Sequence, residues 1–78
     1  MTAIEKTVIQ CAAEAYNVDV EKVTLDTDIR EELSNRSLML LSFISSIEDA
    51  LDVEVSMREA GQLKTVGDFA KRVAELAE

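Results

Sequence analysis

The chain contains no proline, and only two glycines, Gly61 and Gly67, interrupt its 78 residues. Proline and glycine are the strongest local breaks in a polypeptide, so little here stops a periodic segment from continuing. No Asn-Gly or Asp-Gly pair separates alternating apolar and polar runs, and no strand hairpin is signalled. The spacing that does recur is helical. Thr2-Ala3-Ile4-Glu5 reads as a capping box: the threonine hydroxyl takes a free amide while the glutamate reaches back. Ile4, Val8, Cys11, Ala12 and Ala15 follow on one face, and Asn17 is a plausible stop. Cys11 sits mid-helix among Ala and Gln, away from any basic setting, and reads as a small buried hydrophobe. Residues 17–36 form a long connection that Val18, Val20, Val23, Leu25, Ile29 and Leu33 can pin, with Asp19 capping a short turn. A second helix follows Asn35-Arg36-Ser37 and ends near Leu51. Its stripe is Leu40, Phe43, Ile44, Ile47 and Leu51. Val53 and Val55 lie in an extended link. Ser56-Met57-Arg58-Glu59 reads as another capping box, opening a short helix halted at Gly61. Thr65, with Asp68 three residues on, starts a last helix with the stripe Val66, Phe69, Ala70, Val73 and Leu76 or Ala77. The expected fold is all-α: a small bundle of three main helices and one short one, in a single domain over residues 1–78.

Composition removes several functions. With no histidine and one cysteine, the chain cannot build His-ligated or multi-Cys metal sites, nor Cys–His or Ser–His–Asp machinery. No metal site and no catalytic residue are expected. The chain carries 16 acids against 8 bases, a net charge of −8. Nucleic-acid binding needs a basic face to displace counterions, so no nucleic acid is expected as partner. No apolar run approaches the ~18 residues that span a bilayer, and the start lacks the features of a signal peptide. A cytoplasmic monomer meeting basic partners is the expectation. The charge is uneven: residues 1–55 hold 12 acids and 4 bases, and residues 14–32 alone hold 7 acids and 2 bases. The acidic stretch reads as a solvated face.

The second helix departs from the pattern of a surface helix. From Ser37 to Ile47 it has no charged residue, and outside its core stripe it still carries Leu38, Met39 and Leu41, interspersed with Ser42, Ser45 and Ser46. Too few other helices exist to cover it on all sides, so an exposed contact patch is expected. Ser37 stands at its mouth. Locally it reads as an N-cap, or Asn35 caps instead. It cannot be a hydrolytic nucleophile paired with histidine, since the chain has none. A helix N-terminus does suit an anion esterified to that hydroxyl, through free amides and the positive end of the dipole.

The layout resembles the acyl carrier protein family, without a gap from about Val8 to the end of the last helix. The landmarks are Tyr16-Asn17-Val18, Val23-Thr24, Leu33, Ser37-Leu38, the run Glu48-Asp49-Ala50-Leu51-Asp52-Val53-Glu54-Val55, then Ala60, Leu63 and Thr65-Val66. The resemblance implies that Ser37 carries 4′-phosphopantetheine, derived from coenzyme A, through a phosphodiester. The arm's thiol would hold acyl cargo as a thioester and present it to enzymes, the carrier itself making no bonds. It implies a phosphopantetheinyl transferase as one partner, and acyl-transferring, acyl-activating or condensing enzymes as others. It places Ile47, Leu51, Val55, Ala60 and Leu63 on an acyl pocket. Arg36, Leu38, Met39, Leu41, Ser42, Ser45, Glu48 and Asp49 fall on the partner-facing side. Two departures stand out. The family's Asp before the serine is Arg36 here, and Met39 and Ser42 occupy positions usually acidic. Both point to a specialised carrier with dedicated partners, in a lipid, fatty-acid or polyketide pathway. The competing expectation is an unmodified adaptor that keeps the carrier fold and acts by binding alone.

Overall fold

The computed structural model describes residues 1–77. Four α-helices follow one another: α1 (Ala3–Ala15), α2 (Ser37–Leu51), α3 (Met57–Ala60) and α4 (Val66–Leu76). Among the described residues there is no strand, only an isolated antiparallel bridge between Asp28 and Thr65. The expected all-α bundle of three main helices and one short one is what the chain forms.

Each helix boundary has a local cause. At α1 the Thr2 hydroxyl accepts the Glu5 amide at 3.1 Å, and the Glu5 carboxylate accepts the Thr2 amide at 2.8 Å. Asn17, just past this helix, takes a left-handed φ of 55°, and Asp52 at the end of α2 does the same at 53°. Asn and Asp are the non-glycine residues that tolerate this region best. At α3, Ser56 accepts the Glu59 amide at 3.1 Å. The expected reciprocal half of that box does not form, because Glu59 instead accepts from Arg72 Nε at 2.6 Å. A charged partner supplied by α4 outcompetes a neutral backbone amide.

The core joins all four helices. Val8, Ala12, Phe43, Ile47, Val66, Phe69 and Val73 are fully or almost fully buried. Phe43 stands 4.9 Å from Phe69 and 6.0 Å, edge on, from Tyr16, measured between ring centroids. Tyr16, Ile9 and Ala13 are core residues that the α1 periodicity did not include. Cys11 is buried as expected, and burial, with a smaller push from Glu14, raises its thiol pKa.

The connection between α1 and α2 is pinned, as its valines and leucines suggested, though Val20 is exposed and takes no part. Asp19 caps a 3-10 turn over Val20–Lys22. Asp28 caps a π-helical turn over Ile29–Leu33, closed by the Ser34 amide donating to the Ile29 carbonyl at 2.9 Å. Between the two turns the chain is laced to the start of α4. The Val66 amide donates to the Thr27 carbonyl at 3.0 Å and the Gly67 amide to the Leu25 carbonyl at 2.8 Å. Glycine is required there, since a Cβ at Gly67 would lie 2.8 Å from the Leu25 carbonyl oxygen. This lacing fixes where the π turn lies, and the π turn forms one wall of the site described next.

Candidate functional site

Ser37 is exposed and is the first helical residue of α2. The expectation that it, or Asn35, caps the helix is corrected. Arg36 occupies the N-cap, with φ −78° and ψ 128°, and makes no side-chain capping bond. The nearby Ser34 hydroxyl accepts the Arg36 amide at 3.1 Å, one residue short of the helix. The amides of Ser37, Leu38 and Met39 therefore meet no acceptor among the described residues. No acid stands in the first turn. Every other helical element is capped by a side chain: by Thr2, Asp19, Asp28, Ser56 and Thr65. Free amides and the positive dipole end thus remain available beside the Ser37 hydroxyl, an arrangement that favours an anion.

A cavity of about 220 Å³ opens next to Ser37. The π turn contributes Ile29 and Arg30, the approach to α2 contributes Ser34, Asn35 and Arg36, and α2 contributes Ser37 and Leu40. Met57, Ala60, Gly61 and Leu63 form the wall from α3 and its exit, while Tyr16 and Phe69 reach it from α1 and α4. Arg30 and Arg36 are two of only four bases in residues 1–55, so the mouth is locally basic on a chain of net charge −8. Arg30 is held in place by donating to the Gly61 carbonyl.

The residues singled out in the sequence fall into different places. Ala60 and Leu63 line this cavity; Ile47, Leu51 and Val55 do not. Ile47 and Val55 are buried in the core, and Leu51 packs half-buried against it. The lining residues Tyr16, Ile29, Leu40, Met57 and Phe69 lie outside the pocket that the family resemblance implies. Only their meeting in space assembles them, though a tyrosine at the end of an apolar helix face was a visible signal. On the outer side of α2, Leu38 is 80% exposed and Leu41 47%. Ser42, Ser45 and Asp49 are exposed beside them. Met39 is half-buried against the core, and Glu48 spends its carboxylate on the Val55 amide at 3.0 Å. Met57 of α3, 44% exposed, adds an apolar surface that no periodicity in so short a helix signals.

None of the described helices is long and apolar enough to cross a membrane. A family model described as the phosphopantetheine attachment site matches residues 6–73. The chain is also similar to the acyl carrier protein of Buchnera aphidicola subsp. Schizaphis graminum, with 32% identity over 66 residues, covering 85% of this chain and 84% of that protein. The match takes in α2 from end to end, the connection before it, and the uncapped serine between them. The chain belongs to the acyl carrier protein family of phosphopantetheine-binding carriers.

Proposed function

We propose that Ser37 is the attachment residue for 4′-phosphopantetheine and that the protein carries acyl intermediates of a lipid, fatty-acid or polyketide pathway as thioesters. The observation that supports this most is the start of α2: the helix that begins at this exposed serine is the one left uncapped. In the attachment step the Ser37 oxygen would bond to the pantetheine-side phosphorus of the coenzyme A pyrophosphate as the bond from that phosphorus to the bridging oxygen breaks. The 3′,5′-adenosine bisphosphate would leave with that oxygen, and the hydroxyl proton would pass to the transferase or to water. The chain supplies the hydroxyl, the unpaired amides of residues 37–39 and the two arginines that offset phosphate charge. When bound, the arm supplies a thiol for cargo. The chain itself is a carrier and not a catalyst, serving as cosubstrate of the enzymes that load and use it.

Partners would dock on the outer side of α2, at Leu38, Leu41, Ser42 and Ser45, with Arg36 and Asp49 at its ends. Met39 and Glu48 contribute less, being partly buried or already engaged. Arg36 would restrict the choice of transferase, since an arginine meeting a surface built for a carboxylate faces like charge. The test is intact-mass measurement after incubation with coenzyme A and a panel of phosphopantetheinyl transferases, broad-specificity ones included. One arm is gained per chain, and none by Ser37→Ala. Failure with every enzyme, or a gain that survives in the alanine variant, overturns the assignment. The Arg36 reversal favours a second reading, an unmodified adaptor. Protein from its native source would then show its bare mass and gain nothing with any transferase.

A further inference from the structure

Tyr16 is the residue of the cavity that packing does not account for. Its side chain is only 4% exposed, it lines the cavity beside Ser37, and its hydroxyl is buried with no hydrogen-bond partner. The ring earns its place against Phe43, edge on at 6.0 Å, but a phenylalanine would make that contact equally well. What the oxygen adds is a cost, because a buried hydroxyl that finds no partner has lost its water and gained nothing. Arg30 shares the cavity wall and can only donate, so it cannot take the phenol's proton. The walls from Ile29, Leu40, Met57, Ala60, Leu63 and Phe69 are apolar, and none of the lining groups that could accept, the Ser34 and Ser37 hydroxyls, the Asn35 amide oxygen or the Gly61 carbonyl that accepts from Arg30, bonds the phenol. Burial raises the phenol's pKa, with Arg30 opposing in part, which keeps it a neutral donor.

We propose that the Tyr16 hydroxyl is a specificity-determining donor in this cavity, taking an acceptor oxygen from the bound arm or from a short acyl chain oxidised near its thioester. This rests on the carrier reading of Ser37. A cavity of about 220 Å³ lies below the ~300–1,000 Å³ of sites that enclose a whole drug-sized ligand, which limits the occupant to a short segment. Ile29, Leu40, Met57, Ala60, Leu63 and Phe69 accept its carbons, and the Tyr16 hydroxyl is the buried, unpartnered donor that selects for oxygen, beside the polar side formed by Arg30, Ser34, Asn35, Arg36 and Ser37. A plain alkyl chain in the same place leaves the hydroxyl unpaired, whereas an oxygen-bearing chain pairs it, so the two cargo classes are told apart.

The test attaches the occupant without a transferase. Ser37→Cys, exposed where Cys11 is buried, is alkylated with haloacetyl-linked chains of three kinds: the pantetheine amide arm alone, the arm ending in a hexanoyl group, and the arm ending in a 3-oxohexanoyl group. Thermal midpoints are compared in the Tyr16 protein and in Tyr16→Phe, each against its own unloaded form. The 3-oxo chain is expected to raise the midpoint above the hexanoyl chain by about 4–8 °C, the effect of roughly one net hydrogen bond in a domain this size. In Tyr16→Phe that difference disappears. A Tyr16-dependent rise with the arm alone assigns the acceptor to the arm's amides. Equal increments for every chain in both proteins mean that water satisfies the hydroxyl, and the proposal is overturned. Failure of Ser37 as a transferase substrate would appear in the mass assay and leave these midpoints standing.

Discussion

The starts of α4 and α2 are built in opposite ways. At α4 the Thr65 hydroxyl accepts the Asp68 amide at 3.0 Å, and Asp68 Oδ2 accepts the Thr65 and Lys64 amides at 3.1 and 3.2 Å. Loop carbonyls of Thr27 and Leu25 take the amides of Val66 and Gly67. Every orphan donor of its first turn has a home, and its apolar stripe is buried while Lys71 and Glu75 face out. At α2 no side chain caps the first turn, no acid offsets the dipole, and two leucines stand exposed. One end contributes to the fold alone. The other forgoes stabilisation that a single Asp, Ser or Thr at the cap would supply, and leaves both hydrogen-bonding and apolar surface for something that arrives after folding.

The largest expected effect sharpens this contrast within α2 itself. Ile47→Asp places an unpaired charge in the core and should unfold the domain, at a cost above about 4 kcal/mol. Leu41→Asp, on the exposed side, should change stability by less than about 1 kcal/mol while impairing transfer to the cognate enzyme. Chemical denaturation and circular dichroism read the first difference, and loading kinetics the second. Equal unfolding by both variants would make Leu41 a core residue and end the docking-surface argument.

Next comes a pair of cap variants with opposite signs. Thr65→Ala should destabilise by about 1 kcal/mol, whereas Arg36→Asp should stabilise by about 0.5–1.5 kcal/mol by capping α2 and complementing its dipole. Arg36→Asp should also speed modification by a generic transferase. Loss of stability in Arg36→Asp would show that the α2 start is not the open end described above, and equal modification rates would show that position 36 is not read.

Acid should weaken the α4 end selectively. Hydrogen bonds from the Thr65 and then the Lys64 amide hold the Asp68 carboxyl below its ordinary value. A depressed folded-state pKa adds stability that is complete above the unfolded value near 4 and is lost as pH falls through the lower folded value. The side chain is exposed, so solvent screening keeps the contribution small. Thermal midpoints between pH 6 and pH 3 should fall less steeply for Asp68→Asn than for the unaltered protein. Parallel profiles would show that the box is held by Thr65 alone.

The smallest effect concerns the acidic connection. The ion pairs among the described residues both use Arg72, with Glu59 and Glu75, so none of the seven acids in residues 14–32 is paired. Moderate NaCl should therefore raise the thermal midpoint slightly, by screening their repulsion over about 8–10 Å. A midpoint that falls with salt would mean that these acids hold native ion pairs.

Much of the fold was legible because its causes are local. A capping box is a contact between residues three apart; the box expected at Thr2 forms, and Thr65, expected to start the last helix, forms one with Asp68. The α2 stripe was legible for the same reason, since helical periodicity places Phe43, Ile44 and Ile47 on one face whatever that face meets. Asn17 ended α1 because its own backbone tolerates the left-handed turn. Local reasoning failed where a distant group competed. Ser56 and Glu59 have the spacing of a full box, but Arg72 lies within reach of Glu59 only after α4 docks. Ser37 has the chemistry of a cap, yet the turn from the π-helical segment delivers it one position into the helix.

The sequence by itself determined the helices, their order, the serine at the mouth of α2 and the uncharged run behind it, since each follows from residue type and spacing along one segment. The tertiary structure decided the cavity. Its walls come from residues as far apart as Tyr16 and Phe69, and no periodicity within any one helix says which of its apolar side chains will face an open space and which, like Ile47 and Val55, will be packed shut. It also decided that Tyr16 is buried with its hydroxyl unpaired, because burial is a property of what the other helices cover.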